Sequence, residues 1–278
     1  MVGNMDSKVV CCIVARTNSH RLPLKVLKKV SGRRMIEHII DRMKSVPSLD
    51  DIYIATSTHA DDEVLCSVAE ENGIKAYKGS ELSVIDRLLD IAGLEKADYV
   101  VRVTGDNIYT DATLLNLLVS RIKEHDADYA RVEGAPIGVT AEVMKVSALK
   151  HCLSCIDPEL SEYLMLYMFN PERYKTIVID VAGWVPPLTS LTVDTPDDWM
   201  RTEFIENALD DGGRTSLSDI INLSRERDIP FFRLPDDSVV KLPKGETLTL
   251  RQFYERQLEL AQKCQVLVSL SQEEYLNA

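Results

Sequence analysis

Short apolar runs alternate with amphipathic stretches of helical period through the first half of the chain. This alternation restricts the fold more than any other feature of the sequence. Residues 8–15, 51–57 (DIYIATS), 74–77 and 98–104 (DYVVRVT) read as strands. Residues 34–43, 62–71, 82–94 and 112–123 read as the helices that follow them. In the first helix Met35, Ile36, Ile39, Ile40 and Met43 recur at the spacing of one face. Strands that are apolar throughout must be covered on both sides, and strand–helix–strand repeats close right-handed onto a parallel sheet. The fold predicted is therefore α/β: an open, mostly parallel sheet flanked by helices in a Rossmann-like three-layer sandwich.

The second half is more mixed. Strands are expected at residues 128–132, 138–143, 175–181 and 190–193, and helices at 147–156, 159–169, 196–208, 217–224 and 248–264. Asp210-Asp211-Gly212-Gly213 is the clearest break, dividing a main domain over 1–210 from a C-terminal helical extension over 211–278. That extension is expected to pack on the main domain or to form a dimer interface, with Leu250, Phe253, Leu258 and Ala261 on one helix face.

Composition removes several classes of function. With 32 Lys and Arg against 44 Asp and Glu, the formal charge is −12, which disfavours a nucleic-acid coat or an anionic-membrane binder. The apolar run at residues 9–15 is far below the roughly 18 residues a membrane helix needs. The N-terminus carries Asp6 and Lys8 ahead of the first strand, so no signal peptide is expected. Cys152 and Cys155 have ligand-like spacing, but no second pair completes the four ligands of a zinc site. The segment reads better as a helix with Leu149, Cys152, Leu153 and Ile156 on one apolar face. The five histidines form no paired ligand motif, and no nucleophile elbow is present. Asp126-Ala127-Asp128 falls between a helix and a strand and reads as a turn.

Three segments remain where chemistry is expected. After the first strand comes ARTNSHRLPLK, with Arg16, Arg21 and Lys25 inside ten residues and no glycine, so it is neither a Walker loop nor a dinucleotide turn. Cations in a loop leaving the carboxyl edge of a parallel sheet suit a phosphate clamp. A solvated basic loop anchored by Leu22 and Leu24 explains the same residues equally well. The second segment, Thr104-Gly105-Asp106-Asn107, ends an apolar strand in a carboxylate. The third, LTVDTPDD, does the same at Asp194, after which Thr195, Pro196 and Asp198 form a helix start. Two strand-end carboxylates facing a cationic loop suit Mg²⁺, which takes one or two carboxylates together with substrate phosphates.

Taken together, these segments resemble the cytidylyltransferases typified by CMP-KDO synthetase, in particular their SpsF-like, spore coat polysaccharide branch. The resemblance is carried by IVARTNSHRLPLKVLKKVSGRRMIEHIIDRM, IYIATSTHADDEVL, YKGSELSVIDRLLDIA, DYVVRVTGDNIYTD, the AEVM around Glu142, ELSEYLMLYMFNPERYK and LTVDTPDDW, in family order over approximately residues 8–205. It implies a sheet of the nucleotide-diphospho-sugar transferase (GT-A-like) kind. It also implies Mg²⁺-dependent transfer of CMP from CTP to a sugar acid, phosphosugar or phosphonate, releasing pyrophosphate, in surface polysaccharide or related biosynthesis. By the same resemblance, Arg16, Arg21 and Lys25 bind the triphosphate. The backbone at Ala15, Ser80 and Arg87 help hold the nucleotide, and Asp106 and Asp194 hold the metal. Lys25, Asp106 and Asp194 are then the catalytic set, and Glu142, Glu162 and Tyr163 lie toward the acceptor. A cytoplasmic homodimer is implied as well. The chain departs from the branch at Glu162-Tyr163-Leu164-Met165, where Glu-His-Val-Thr is common, and at Asn107. A nucleotide-sugar-dependent glycosyltransferase, releasing a nucleoside diphosphate, and a non-catalytic nucleotide-binding homologue remain as alternatives.

Overall fold

A computed structural model describes residues 7–209 and 215–278. The chain runs β1 (Val9–Val14), a short hairpin of β2 (Lys29–Val30) and β3 (Arg33–Arg34), α1 (Met35–Lys44), β4 (Asp51–Ser57), α2 (Glu63–Glu71), β5 (Lys75–Gly79), α3 (Val84–Glu95), β6 (Tyr99–Thr104), α4 (Ala112–His125), β7 (Tyr129–Glu133) and β8 (Glu142–Lys145). It continues through α5 (Val146–Leu153), α6 (Leu164–Met168), β9 (Thr176–Asp180), α7 (Pro196–Leu209), α8 (Leu217–Glu226), β10 (Val239–Lys241), β11 (Thr247–Thr249), α9 (Leu250–Ala261), β12 (Val266–Ser269) and α10 (Gln272–Leu276).

Eight strands form one sheet in the order β12-β9-β7-β8-β6-β1-β4-β5. All pairings are parallel except those of β8, which is antiparallel to β6 and β7. The exception has a local cause: no helix separates β7 from β8, so the chain turns straight back instead of crossing over. Alternation along β1 builds the three layers. Val9, Cys11 and Ile13 join α1, α2 and α4 residues such as Ile39, Leu65 and Leu118 in one core. Val10 and Cys12 join Ile85, Leu88, Leu149 and Cys152 of α3 and α5 in the other. Strand β1 is the central hinge of the topology, with β4 and β5 on one side and β6 on the other, so the loops after β1 and β6 leave the same edge. Such a switch point is where open parallel sheets bind ligands.

Several expectations need correction. Residues 190–193 form no strand; one isolated bridge joins Ser190 to Ile137, and backbone bonds to Ile137 and Asp106 hold the rest. The helix expected at 159–169 divides into a 3-10 stretch, Pro158–Tyr163, and α6. The tail is not helical alone. Its strand β12 pairs in parallel with β9 and extends the main sheet, and β10 pairs with β11. Residues 266–269 alternate half-buried with exposed, a period-two pattern only four residues long, too short to stand out beside the longer helix before it. The break at 210–213 lies outside the described residues. Asp126, by contrast, is the left-handed cap of α4 and pairs with Lys145, the turn expected of the DxD. Among the described residues no helix is long and apolar enough to cross a membrane.

The tail is fastened near the site edge. Asp111 caps α4 through Oδ1, accepting from the Leu114 amide at 2.9 Å. Its Oδ2 accepts from the Tyr275 hydroxyl at 2.6 Å and the Leu217 amide at 3.2 Å. All three side chains are buried. A hydrogen bond to a buried carboxylate contributes about 1.5–3 kcal/mol. Tyr275→Phe is therefore expected to lower the free energy of unfolding by about 2 kcal/mol, read as a shifted urea midpoint at constant slope.

Candidate active site

The loop after β1 has no glycine, and its shape is set from below by a buried acid. Asp62, just ahead of α2, accepts from the Thr17 amide at 2.7 Å and hydroxyl at 2.8 Å through Oδ1, and from the Ser57 hydroxyl at 2.5 Å through Oδ2. Burial alone raises its pKa, but these donors outweigh burial and hold the carboxyl below the ordinary value. The loop therefore leaves β1 in a fixed direction. It passes Gly105, where a Cβ would lie 2.8 Å from the Ala15 Cβ and 3.2 Å from the Val14 carbonyl oxygen. Only glycine lets the ends of β1 and β6 approach this closely. The Gly105 amide then donates to Val14 O at 2.8 Å.

Further along, Leu24 adopts the left-handed region at φ 53° and turns the chain into a single 3-10 turn, Lys25–Leu27. This brings the Lys25 ammonium between the two aspartates, 3.1 Å from Asp106 Oδ2 and 2.7 Å from Asp194 Oδ1. The second oxygen of Asp194 pairs with Arg21 at 3.1 Å. The two aspartate segments are stitched together by their backbone, the Val193 amide donating to Asp106 O at 2.9 Å. Thr195 and Asp198 form the reciprocal cap expected of them: Asp198 Oδ2 accepts from the Thr195 amide and hydroxyl, and the Asp198 amide donates back to Thr195. The Asp194 amide joins that cap at 3.0 Å from Asp198 Oδ2, while its carboxylate is left to face Lys25.

Around these groups opens a cleft of about 570 Å³. Ala15, Arg16, Arg21, Lys25, Arg87, Asp106, Glu162 and Asp194, all singled out in the sequence, line it. Arg87 of α3 is buried, with one guanidinium nitrogen donating to Ala55 O at 2.8 Å. Burial, then the neighbouring Arg16, brings its pKa down to about 10, so it remains a cation at neutral pH. Three other expected residues do not line the cleft. Ser80 is exposed, and its hydroxyl accepts from the Ser83 amide at the start of α3. Tyr163 sits at the N-terminus of α6. Glu142 is buried one layer back, opposite Arg102 in the β6–β8 register, where its carboxylate accepts from Arg102 and from the Tyr129 hydroxyl.

The structure adds residues the sequence did not point out. Arg102 itself lines the cleft, braced by Glu142 and by the Glu162 carbonyl oxygen at 3.2 Å. Ser161, fully buried, accepts from the first two amides of α3 at 2.8 and 3.1 Å and so fixes the helix that carries Arg87. Arg201 holds the Asp194 segment from behind. Two carboxylates that already share one cation also suit Mg²⁺ in their donor chemistry. No cluster of three His, Cys, Asp or Glu suited to a metal exists among the described residues, so further ligands would come from phosphate oxygens or water.

Residues 10–163, which contain the β1 loop, Arg87 and Asp106, match the family model described as Cytidylyltransferase. The chain belongs to the cytidylyltransferase family. It is a CTP-dependent nucleotidyltransferase on that ground, with Asp194 lying beyond the matched segment. This cytidylyltransferase is 26% identical over 223 residues to the spore coat polysaccharide biosynthesis protein SpsF of Bacillus subtilis, covering 77% of this chain and 93% of that one. Its fold is shared with a cytidylyltransferase from Leptospira borgpetersenii at a TM-score of 0.73 and 22% identity, over 82% of this chain and 99% of the other. It is shared as well with CMP:2-keto-3-deoxy-manno-octonic acid synthetase complexed with CTP, at a TM-score of 0.58 and 20% identity, over 73% of this chain and all of that one.

Proposed function

We propose that this cytidylyltransferase moves CMP from CTP to an oxygen of a sugar acid or related acidic sugar, with Mg²⁺ and release of pyrophosphate. The observation that carries the reading is the convergence of Asp106 and Asp194 on one cation, 3.1 and 2.7 Å away, at the end of a cleft also lined by Arg16, Arg21 and Arg87. In the reaction the acceptor oxygen forms a bond to the α-phosphorus, the bond to the pyrophosphate oxygen breaks, and the hydroxyl proton leaves to solvent or product. The chain's own part is positioning and charge. Arg16, Arg21 and Arg87 meet the phosphates, and Lys25 meets the departing pyrophosphate. Asp106 and Asp194 would hold Mg²⁺, which when bound neutralises phosphate charge and makes the phosphorus easier to attack. The reading includes a homodimer in the cytoplasm, and sedimentation tests the oligomeric state.

Arg102 supports an acidic acceptor. It stands on the β6 side of the cleft, across β1 from β4 and β5, and Glu142 with Tyr129 fixes its plane. In this reading Glu142 reaches the acceptor only through Arg102. Arg102→Gln should raise the acceptor KM roughly tenfold or more, the effect of one charge-assisted hydrogen bond, with the KM for CTP unchanged. An unchanged acceptor KM would remove Arg102 from the acceptor site.

The function itself is tested by pyrophosphate release with Mg²⁺, each of the four nucleoside triphosphates, and a panel of sugar acids, phosphosugars and phosphonates. Release with CTP and a sugar acid is expected. CTP binding without release under every acceptor would leave the non-catalytic alternative instead, and turnover of a nucleotide sugar to a nucleoside diphosphate would support the glycosyltransferase.

A further inference from the structure

Lys25 occupies the place a metal would take. Its ammonium contacts one oxygen from each aspartate, and with Arg21 on the remaining oxygen of Asp194 the four side chains carry two positive and two negative charges. A magnesium ion binds carboxylate oxygens at about 2.1 Å, so it cannot share the space between these oxygens with an ammonium at hydrogen-bond distance. Like charge at that range is also strongly unfavourable. Metal and lysine are therefore alternatives on the same pair of aspartates. The Lys25 side chain is long and flexible, and its backbone sits in an isolated 3-10 turn that follows the left-handed Leu24.

We propose that Lys25 competes with the divalent cation for Asp106 and Asp194, and that the nucleotide's phosphates draw the ammonium away and so admit the metal. This inference rests on the reading above that the aspartate pair takes a divalent cation. The chain then binds metal poorly until a triphosphate is present, and the same ammonium that guards the carboxylates ends on the phosphates, where it is needed for pyrophosphate departure. Lysine suits this double use because its charge is a compact point on a mobile stem, whereas arginine's planar fork is fixed by its partners.

The test is Mn²⁺ binding to the full chain, followed by loss of the free-ion signal in electron paramagnetic resonance, with and without a non-hydrolysable CTP analogue. Without nucleotide, Lys25→Met should bind Mn²⁺ at least about tenfold more tightly than the wild type, through removal of one contacting charge. Lys25→Arg, which keeps a cation there, should stay weak. Arg21→Met removes the same charge from a more exposed position and leaves the ammonium in place, so its affinity should stay within about threefold of wild type. Equal affinities for wild type and Lys25→Met overturn the competition, as does an Arg21→Met gain as large as that of Lys25→Met. A separate outcome marks failure of the underlying reading: with the analogue present, Asp194→Asn binding Mn²⁺ as tightly as wild type would mean the aspartates are not ligands, and the inference falls with it.

Discussion

Asp194→Asn is expected to lower kcat for pyrophosphate release by about a thousandfold while leaving the protein folded. The size follows from removing one preorganised charge from a site whose task is to manage phosphate charge, an effect of about 4 kcal/mol. The folded state should survive because the Asp194 side chain takes no part in the helix cap beside it, and the change leaves its backbone amide in place. The Asp194 amide, like that of Thr195, donates to Asp198, and the carboxylate makes only part-exposed ion pairs with Lys25 and Arg21. Asp106→Asn should behave similarly, since its carboxylate shares the same lysine and its backbone carbonyl, unaltered by the change, accepts from Val193. The measurement is a coupled pyrophosphate assay at saturating CTP and acceptor, with a thermal melt as the fold control. A kcat within threefold of wild type for either variant would dissociate the pair from the chemistry.

That both aspartates could be read from the sequence has a physical reason. Each ends a segment rich in apolar residues, and a parallel sheet sends the ends of such strands to one edge, so local pattern and topology together locate the carboxylates. The Asp194 carboxylate still meets Lys25 beside Asp106 although residues 190–193 form no strand, because the chain there runs beside Ile137 and Asp106. The residues that brace the site left no such trace. Asp62 acts on Thr17, 45 positions away, and Ser161 acts on Val84, 77 positions away. A polar side chain whose partner is that remote looks in the sequence like any helix-start or loop residue. Glu142 shows the converse: the family pattern marks the position, but only the β6–β8 register reveals that its carboxylate is taken up by Arg102. In the tail, β12 escaped notice because an edge strand of four residues is defined by the β9 it pairs with more than by its own pattern.

Arg201 is the strongest instance of a hidden brace and the largest expected effect on stability. Its side chain is fully buried in α7, one turn after the cap. One guanidinium nitrogen pairs with Asp198 Oδ1 at 2.9 Å and donates to Phe231 O at 2.8 Å, and the other donates to Thr192 O. Burial lowers its pKa, opposed by the Asp198 carboxylate. One cation thus ties the start of α7 to the segment ahead of Asp194 and to the chain before β10. Arg201→Leu keeps an apolar body but leaves a carboxylate oxygen and two carbonyl groups without their donor. Breaking a buried pair from one side costs about 3–5 kcal/mol, and urea unfolding should show a loss of that size. Arg201→Lys should recover only part of it, because one ammonium cannot span acceptors arranged for a planar fork. The fraction of Arg201→Leu that stays folded should also lose turnover, since Thr192 lies two residues from Asp194. A stability loss below about 0.5 kcal/mol, the ordinary range for a surface change, would mean that the backbone pairing of Val193 with Asp106 is enough to hold the carboxylates without this arginine.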